Sequence, residues 1–114
     1  MQNVEYTVTA AAVTFVDLSS FVNKDEDQEL TIYVFSNDVY VSFGCANATE
    51  ANTYLSGAST TWNKKNRLKI TAGESLTVNP NIISASSVAF KADGGDAQVI
   101  ISWYPIKSTE ARHR

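Results

Sequence analysis

Apolar and polar side chains alternate one by one along most of this chain, in runs of strand length separated by turn-forming residues. Val4, Tyr6, Val8 and Ala10 share one face of a first extended segment, and Val13-Thr14-Phe15-Val16 follows as a second. Asp17 to Gln28 reads as a loop. In Leu30-Thr31-Ile32-Tyr33-Val34-Phe35 both faces are apolar, which predicts a strand covered by the core on one side and by a neighbour or subunit on the other. Ser36-Asn37-Asp38 is a turn signal, and Val39, Val41 and Phe43 then alternate until Gly44 stops the run, so residues 30–44 are expected to form a hairpin. Cys45 to Asn66, rich in Ala, Thr, Asn and Ser, has weak periodicity and is expected to be a long surface loop interrupted by Tyr54-Leu55 and Trp62. Arg67-Leu68-Lys69-Ile70-Thr71 alternates again, Ala72-Gly73-Glu74 turns the chain, and Ser75-Leu76-Thr77-Val78 forms another strand closed by Pro80. Val88-Ala89-Phe90-Lys91 and the run from Ala97 to Tyr104 flank Asp93-Gly94-Gly95-Asp96, a strong hairpin signal, and Pro105 ends the last strand.

About seven or eight short strands and no sustained 3.6-residue period predict an all-β fold. The architecture expected is an antiparallel β-sandwich, jelly-roll-like or Ig-like. With 114 residues, 44% of them hydrophobic, the chain fits one core. The domain is placed at residues 1–106, and the polar segment 107–114 is expected to be a frayed tail. Ordering a chain costs roughly 1.5 kcal/mol per residue, which a small sandwich offsets narrowly, so partner subunits would add stability.

Charge adds one asymmetry. The net charge is only −3, yet residues 1–50 hold eight acids against one base and residues 51–114 hold four acids against eight bases. The two halves are expected to lie against each other within the fold, with attraction between copies as the alternative. The first residues lack the basic and apolar regions of a secretory leader, and no apolar run is long enough to span a bilayer, so no membrane association is expected. A single cysteine, Cys45, makes no internal disulfide and fits a reducing compartment.

Candidate chemistry is sparse. The one histidine, His113, stands second from the end, a poor place for the base of a Ser-His-Asp or Cys-His relay or for a histidine-based metal site. Cys45 follows an apolar strand and reads as a small buried thiol. Asp25-Glu26-Asp27-Gln28-Glu29 lacks the alternating spacing and glycine of a calcium loop and reads as a solvated loop. Asp93 and Asp96 read as turn residues. Asn47-Ala48-Thr49 matches a glycosylation sequon, which carries little weight without a leader. Trp62-Asn63-Lys64-Lys65-Asn66-Arg67-Leu68-Lys69 interleaves an aromatic with four cations, but a sequence pI near 5.0 sets the overall field against nucleic acid. Trp103, in register with Val99 and Ile101, is assigned to packing, whereas Trp62 and Tyr54 remain available as loop aromatics for a sugar. No catalytic, cofactor-binding or metal-binding residue is therefore expected, and the chain reads as a structural or binding module.

Three blocks carry a family resemblance. Ser36-Asn37-Asp38-Val39-Tyr40-Val41-Ser42-Phe43-Gly44, Ala72-Gly73-Glu74-Ser75-Leu76-Thr77-Val78, and Val88 to Ser102 through Ala92-Asp93-Gly94-Gly95-Asp96-Ala97 together resemble small β-sandwich virion proteins of tailed bacteriophages, over roughly residues 30–104. The loop at 45–66 is longer than in the shortest members of that group. The resemblance implies a capsid decoration or cement protein, a head-fibre base or a tail accessory, assembled in the bacterial cytoplasm and located in the virion. It implies partners among the major capsid or other virion proteins and no catalytic residues. Together with the two-faced strand and the opposed charges, it sets the expectation of a homo-oligomer, a trimer by preference. Contact is expected through Leu30, Ile32, Tyr33, Phe35, Tyr54, Trp62, Lys64, Lys65 and Arg67. The competing reading is a carbohydrate- or cell-surface-binding module that uses Trp62 and Tyr54.

Overall fold

The computed structural model describes residues 2–20, 28–56, 67–80 and 85–105. The expected segments appear as β1 (Gln2–Val8), β2 (Thr14–Asp17), β3 (Gln28–Phe35), β4 (Val39–Phe43), β5 (Leu68–Ile70), β6 (Ser75–Val78), β7 (Ser87–Ala92) and β8 (Ala97–Pro105). They pair into two four-stranded sheets, β1-β8-β3-β6 and β2-β7-β4-β5, with every pairing antiparallel. Two facing sheets whose consecutive strands mostly change sheet form a jelly-roll sandwich.

Alternation decides which side chains fill the space between the sheets. Leu30, Ile32 and Val34 of β3, with Val99 and Ile101 of β8, meet Val39 and Val41 of β4 and Val88 and Phe90 of β7, all fully buried. Phe90 is the largest of them, and burying such a ring contributes about 1.5–3 kcal/mol. Val4, Tyr6, Leu76, Val78 and Trp103 pack around this core half-buried, Trp103 as its register with Ile101 requires.

Two expected hairpins are not hairpins. Strands β3 and β4, joined by Ser36-Asn37-Asp38, lie in different sheets, as do β7 and β8, joined by Asp93-Gly94-Gly95-Asp96. Strands within a sheet lie about 4.8 Å apart, whereas packed sheets lie about 10 Å apart, so these links of three and four residues span the sandwich instead of closing a ladder. The links fasten to one another at one end of the molecule. Asp93 N donates to Asp38 O (2.9 Å), Ala72 N to Asp38 Oδ1 (2.9 Å), Ala92 N to Thr9 O (3.0 Å), and Asn37 Nδ2 to Asp96 O (2.8 Å).

The expected long loop contains a helix, α1 (Ala48–Leu55). Asn47 caps it, its side chain accepting from Glu50 N at 2.8 Å, so the residue that reads as a sequon is a helix start. Ala51 and Leu55, four residues apart on one face, are buried with Cys45 and Ala89 in a second small cluster, flanked by Val13, Phe15, Tyr40 and Tyr54. Helix α1 thereby covers the outer side of the β2-β7-β4-β5 sheet. The segment Asp25–Asp27, the tail 107–114 and His113 lie outside the described residues.

Candidate functional site

The sandwich has two outer faces, and they differ. The face under α1 is closed by packing and by polar contacts. Ser42 Oγ lies 3.3 Å from Cys45 Sγ, Ser87 Oγ donates to Cys45 O at 2.6 Å, and Cys45 is buried. Beside the helix, the ring of Tyr40 carries the guanidinium of Arg67 at 4.9 Å and the ammonium of Lys69 at 5.7 Å from its centroid. Arg67 Nη1 also donates to Ser56 O at 3.1 Å, and Lys69 Nζ bridges Asp38 (3.4 Å) and Asp93 (3.3 Å). This cluster holds β5 and the inter-sheet links in place.

The outer face of the β1-β8-β3-β6 sheet has no helix over it among the described residues. At its centre Tyr33 of β3 stands opposite Ile100 of β8, and Phe35 stands opposite Gln98. Tyr33 is 38% and Phe35 44% exposed, large values for aromatic rings on central strands. Hydroxyl and amide pairs surround them: Thr31 and Thr77 Oγ1 atoms lie 2.9 Å apart, Thr7 Oγ1 donates to Gln98 Oε1 at 3.3 Å, and Ser102 Oγ donates to Asn3 Oδ1. At one end Tyr104, 37% exposed, donates its hydroxyl to Glu29 Oε1 at 3.1 Å, and this bond to the carboxylate holds the Tyr104 phenol above its ordinary pKa. Among the described residues Glu5 and Glu29 are the charges in the strands of this face, while the cations of the described strands and their flanks, Arg67, Lys69 and Lys91, belong to the other sheet. The uneven charge of the sequence thus becomes, in part, a difference between the two sheets.

The residues expected at an interface are therefore divided. Leu30 and Ile32 are fully buried between the sheets, which corrects their assignment to a contact surface, because a side chain in the core is not available to a partner. Tyr33 and Phe35 occupy the open face. Tyr54 belongs to α1 and is half-buried against the second cluster, and Arg67 lies over Tyr40, so neither is a free loop side chain. Trp62, Lys64 and Lys65 lie outside the described residues. Ile100 and Tyr104 complete the open face and were absent from the expected set. The signal for Ile100 was Val99-Ile100-Ile101, a second run apolar on both faces, and that for Tyr104 was its place beside the core-packed Trp103, both in the strand that pairs with β3. Among the described residues no three His, Cys, Asp or Glu side chains gather to hold a metal ion.

No protein-family model matches the chain, and no curated protein matches it. Solved structures do. A cupin protein from Bacteroides fragilis is 9% identical, over 93% of this chain and 66% of its own, with a TM-score of 0.55. A de novo designed double-stranded β-helix is 12% identical, over 91% of this chain and 100% of its own, with a TM-score of 0.48, and FeII HppE is 14% identical, over 90% and 42%, with a TM-score of 0.47. At these identities the likeness to the cupin is one of fold, in agreement with the jelly-roll strand order.

Proposed function

We propose that the chain is a non-enzymatic structural protein of a phage particle, a decoration or cement protein that works as a homo-oligomer and grips its lattice through the open face of the β1-β8-β3-β6 sheet. The jelly-roll architecture serves catalytic and non-catalytic proteins alike, so the reading rests on the surface and on the sequence resemblance rather than on the fold. The observation that carries it is the exposure of Tyr33, Phe35 and Tyr104 on a sheet face rimmed by hydroxyls and amides. Aromatic rings held rigidly by a sheet provide contact area at low entropic cost, and they dominate the energetics of protein contacts. The two carboxylates of this face, Glu5 and Glu29, oppose a polyanion and suit a partner surface that offers cations or apolar residues.

The test is co-sedimentation of the purified chain with phage particles from the strain that encodes it, beside the double variant Tyr33→Ser/Phe35→Ser. The wild type is expected to pellet with particles to a fixed ratio, and the double variant to need at least about tenfold more protein for half-saturation, a loss of at least about 1.4 kcal/mol, which a single hot-spot ring at about 2 kcal/mol or more already exceeds. Failure of the wild type to bind particles, joined to a specific signal on a glycan array, would replace this reading with the sugar-binding one.

A further inference from the structure

The open edge of β1 has a defined hydrogen-bonding parity. Val34 N donates to Glu74 O (3.1 Å) and Gly73 N donates to Val34 O (2.8 Å), so the main-chain groups of Val34 point toward the β6 side of β3. In an unbroken antiparallel ladder the direction alternates residue by residue, so Tyr33 and Phe35 bond to β8 through their partners Ile100 and Gln98. The main-chain groups of Val99 and Ile101 then point the other way, to β1, where their partners are Tyr6 and Val4. Neither ladder has a break in register. The same rule makes Thr31 and Thr77 a non-hydrogen-bonded pair, the kind that brings side chains closest, and their hydroxyls meet at 2.9 Å. The alternate residues of β1, namely Asn3, Glu5 and Thr7, therefore present their N–H and C=O groups outward, away from β8.

From this edge we infer that two copies of the chain associate by antiparallel pairing of β1 with β1, fusing two four-stranded sheets into one of eight. Strand β1 runs for seven residues, against four, three and four for the edge strands β2, β5 and β6. Of the usual guards of an exposed edge it has no lysine, no proline and no bulge, and its single charged side chain is Glu5. Val4 and Tyr6 point to the core yet stay half-buried, unlike the fully buried Val99 and Ile101 beside them, because among the described residues no strand lies on their far side. A second β1 would cover them and satisfy the outward amides and carbonyls in one step. Such a contact is isologous, and antiparallel pairing about a twofold axis is the geometry in which one strand is its own complement. An axis through Glu5 would set two carboxylates face to face, so the axis falls at Val4 or at Tyr6, where Glu5 meets Asn3 or Thr7 of the other copy. The unit built this way is a dimer, distinct from particle binding through the sheet face, and either can fail without the other.

Sedimentation equilibrium of the purified chain is expected to give twice the chain mass of 12.4 kDa, falling to one chain on dilution. Glu5→Pro deletes an outward N–H and leaves the bonds to β8 intact, so it should keep the wild-type circular-dichroism spectrum and sediment as a monomer where the wild type is dimeric. Amide hydrogen exchange at two protein concentrations supplies a second readout that needs no variant. Exchange at Glu5, with Asn3 or Thr7, should slow at least tenfold at the higher concentration, while Val4 and Tyr6 stay protected at both. A wild type that is monomeric at every concentration, a dimeric Glu5→Pro, or exchange at Glu5 that ignores concentration would each overturn the inference.

Discussion

The ammonium of Lys69, on the short edge strand β5, lies 3.4 Å from the carboxylate of Asp38, the last residue of the link that carries the chain from one sheet to the other. The Asp38 carboxylate also accepts the amide of Ala72, and the Asp38 carbonyl accepts the amide of Asp93, so one residue ties three links together.

This arrangement gives the stability a defined pH dependence. The hydrogen bond from Ala72 and the nearby Lys69 ammonium hold the Asp38 carboxyl below its ordinary value, and the hydrogen bonds to Asp93 and Asp38 hold Lys69 above its own. A carboxyl whose folded pKa is depressed stabilises the fold above the usual carboxylate range, about 3.9, and loses that contribution as pH falls through the folded value. A lysine whose pKa is raised stabilises below about 10.4 and loses its contribution as pH rises through the folded value. Both groups are open to solvent, so the effect is small. Thermal melts of the wild type and Lys69→Met from pH 2 to pH 11 should separate most near neutrality, with the gap narrowing toward both ends. A gap that stays constant with pH would mean that Lys69 acts through packing alone.

Gly95 is favoured by its neighbour and not by its backbone. A Cβ built there falls 2.8 Å from Asn37 Nδ2, the atom that donates to Asp96 O across the same end of the sandwich. Gly95→Ala should push Asn37 out of that bond and cost about 1 kcal/mol, the usual net value of one hydrogen bond. In an Asn37→Ala background the cost should disappear. Urea unfolding of the four proteins in this double-mutant cycle measures the coupling directly, and strictly additive effects would show that the two residues are independent.

Helix α1 depends on its cap and on one leucine. Asn47→Ala removes the side-chain acceptor for Glu50 N and should cost about 0.5–2 kcal/mol, while Asn47→Ser should keep most of it. Leu55 is fully buried in the second cluster, and Leu55→Ala should cost about 2–5 kcal/mol. Both are read from urea unfolding midpoints. Equal stability of the alanine and serine variants at position 47 would remove the cap from the account.

Much of this was legible in the alternation, and the omissions have physical causes. Period-2 patterning located the strands because each has one face in the core, as Leu30, Ile32 and Val34 do. It did not tell Leu30 and Ile32 from Tyr33 and Phe35 as contact residues, because a run apolar on both faces records that each face is apolar and not which one is covered. The turns at 36–38 and 93–96 announced reversals of direction, but turn chemistry is local and does not say which sheet the next strand joins. Helix α1 escaped because two turns give only one buried pair, Ala51 and Leu55, too few to establish a period. The spacing from Asn47 to Glu50 was the available signal, a cap followed three residues later by an acid.

The open face makes a sharp contrast between adjacent positions of β3. Ile32 and Tyr33 are consecutive, but Ile32 is fully buried between the sheets, whereas Tyr33 is on the outer face, opposite Ile100 in the ladder, and 38% exposed. Ile32→Ala should lose about 2–5 kcal/mol, through lost burial and an unfilled cavity. Tyr33→Thr keeps a β-branched residue on the strand and gives up only partly exposed ring area, so its cost should stay within about 1 kcal/mol. Guanidinium denaturation of the two variants decides the matter. If Tyr33→Thr proves as destabilising as Ile32→Ala, the ring is part of the chain's own packing, and a surface that the fold needs for itself is not free to hold a partner.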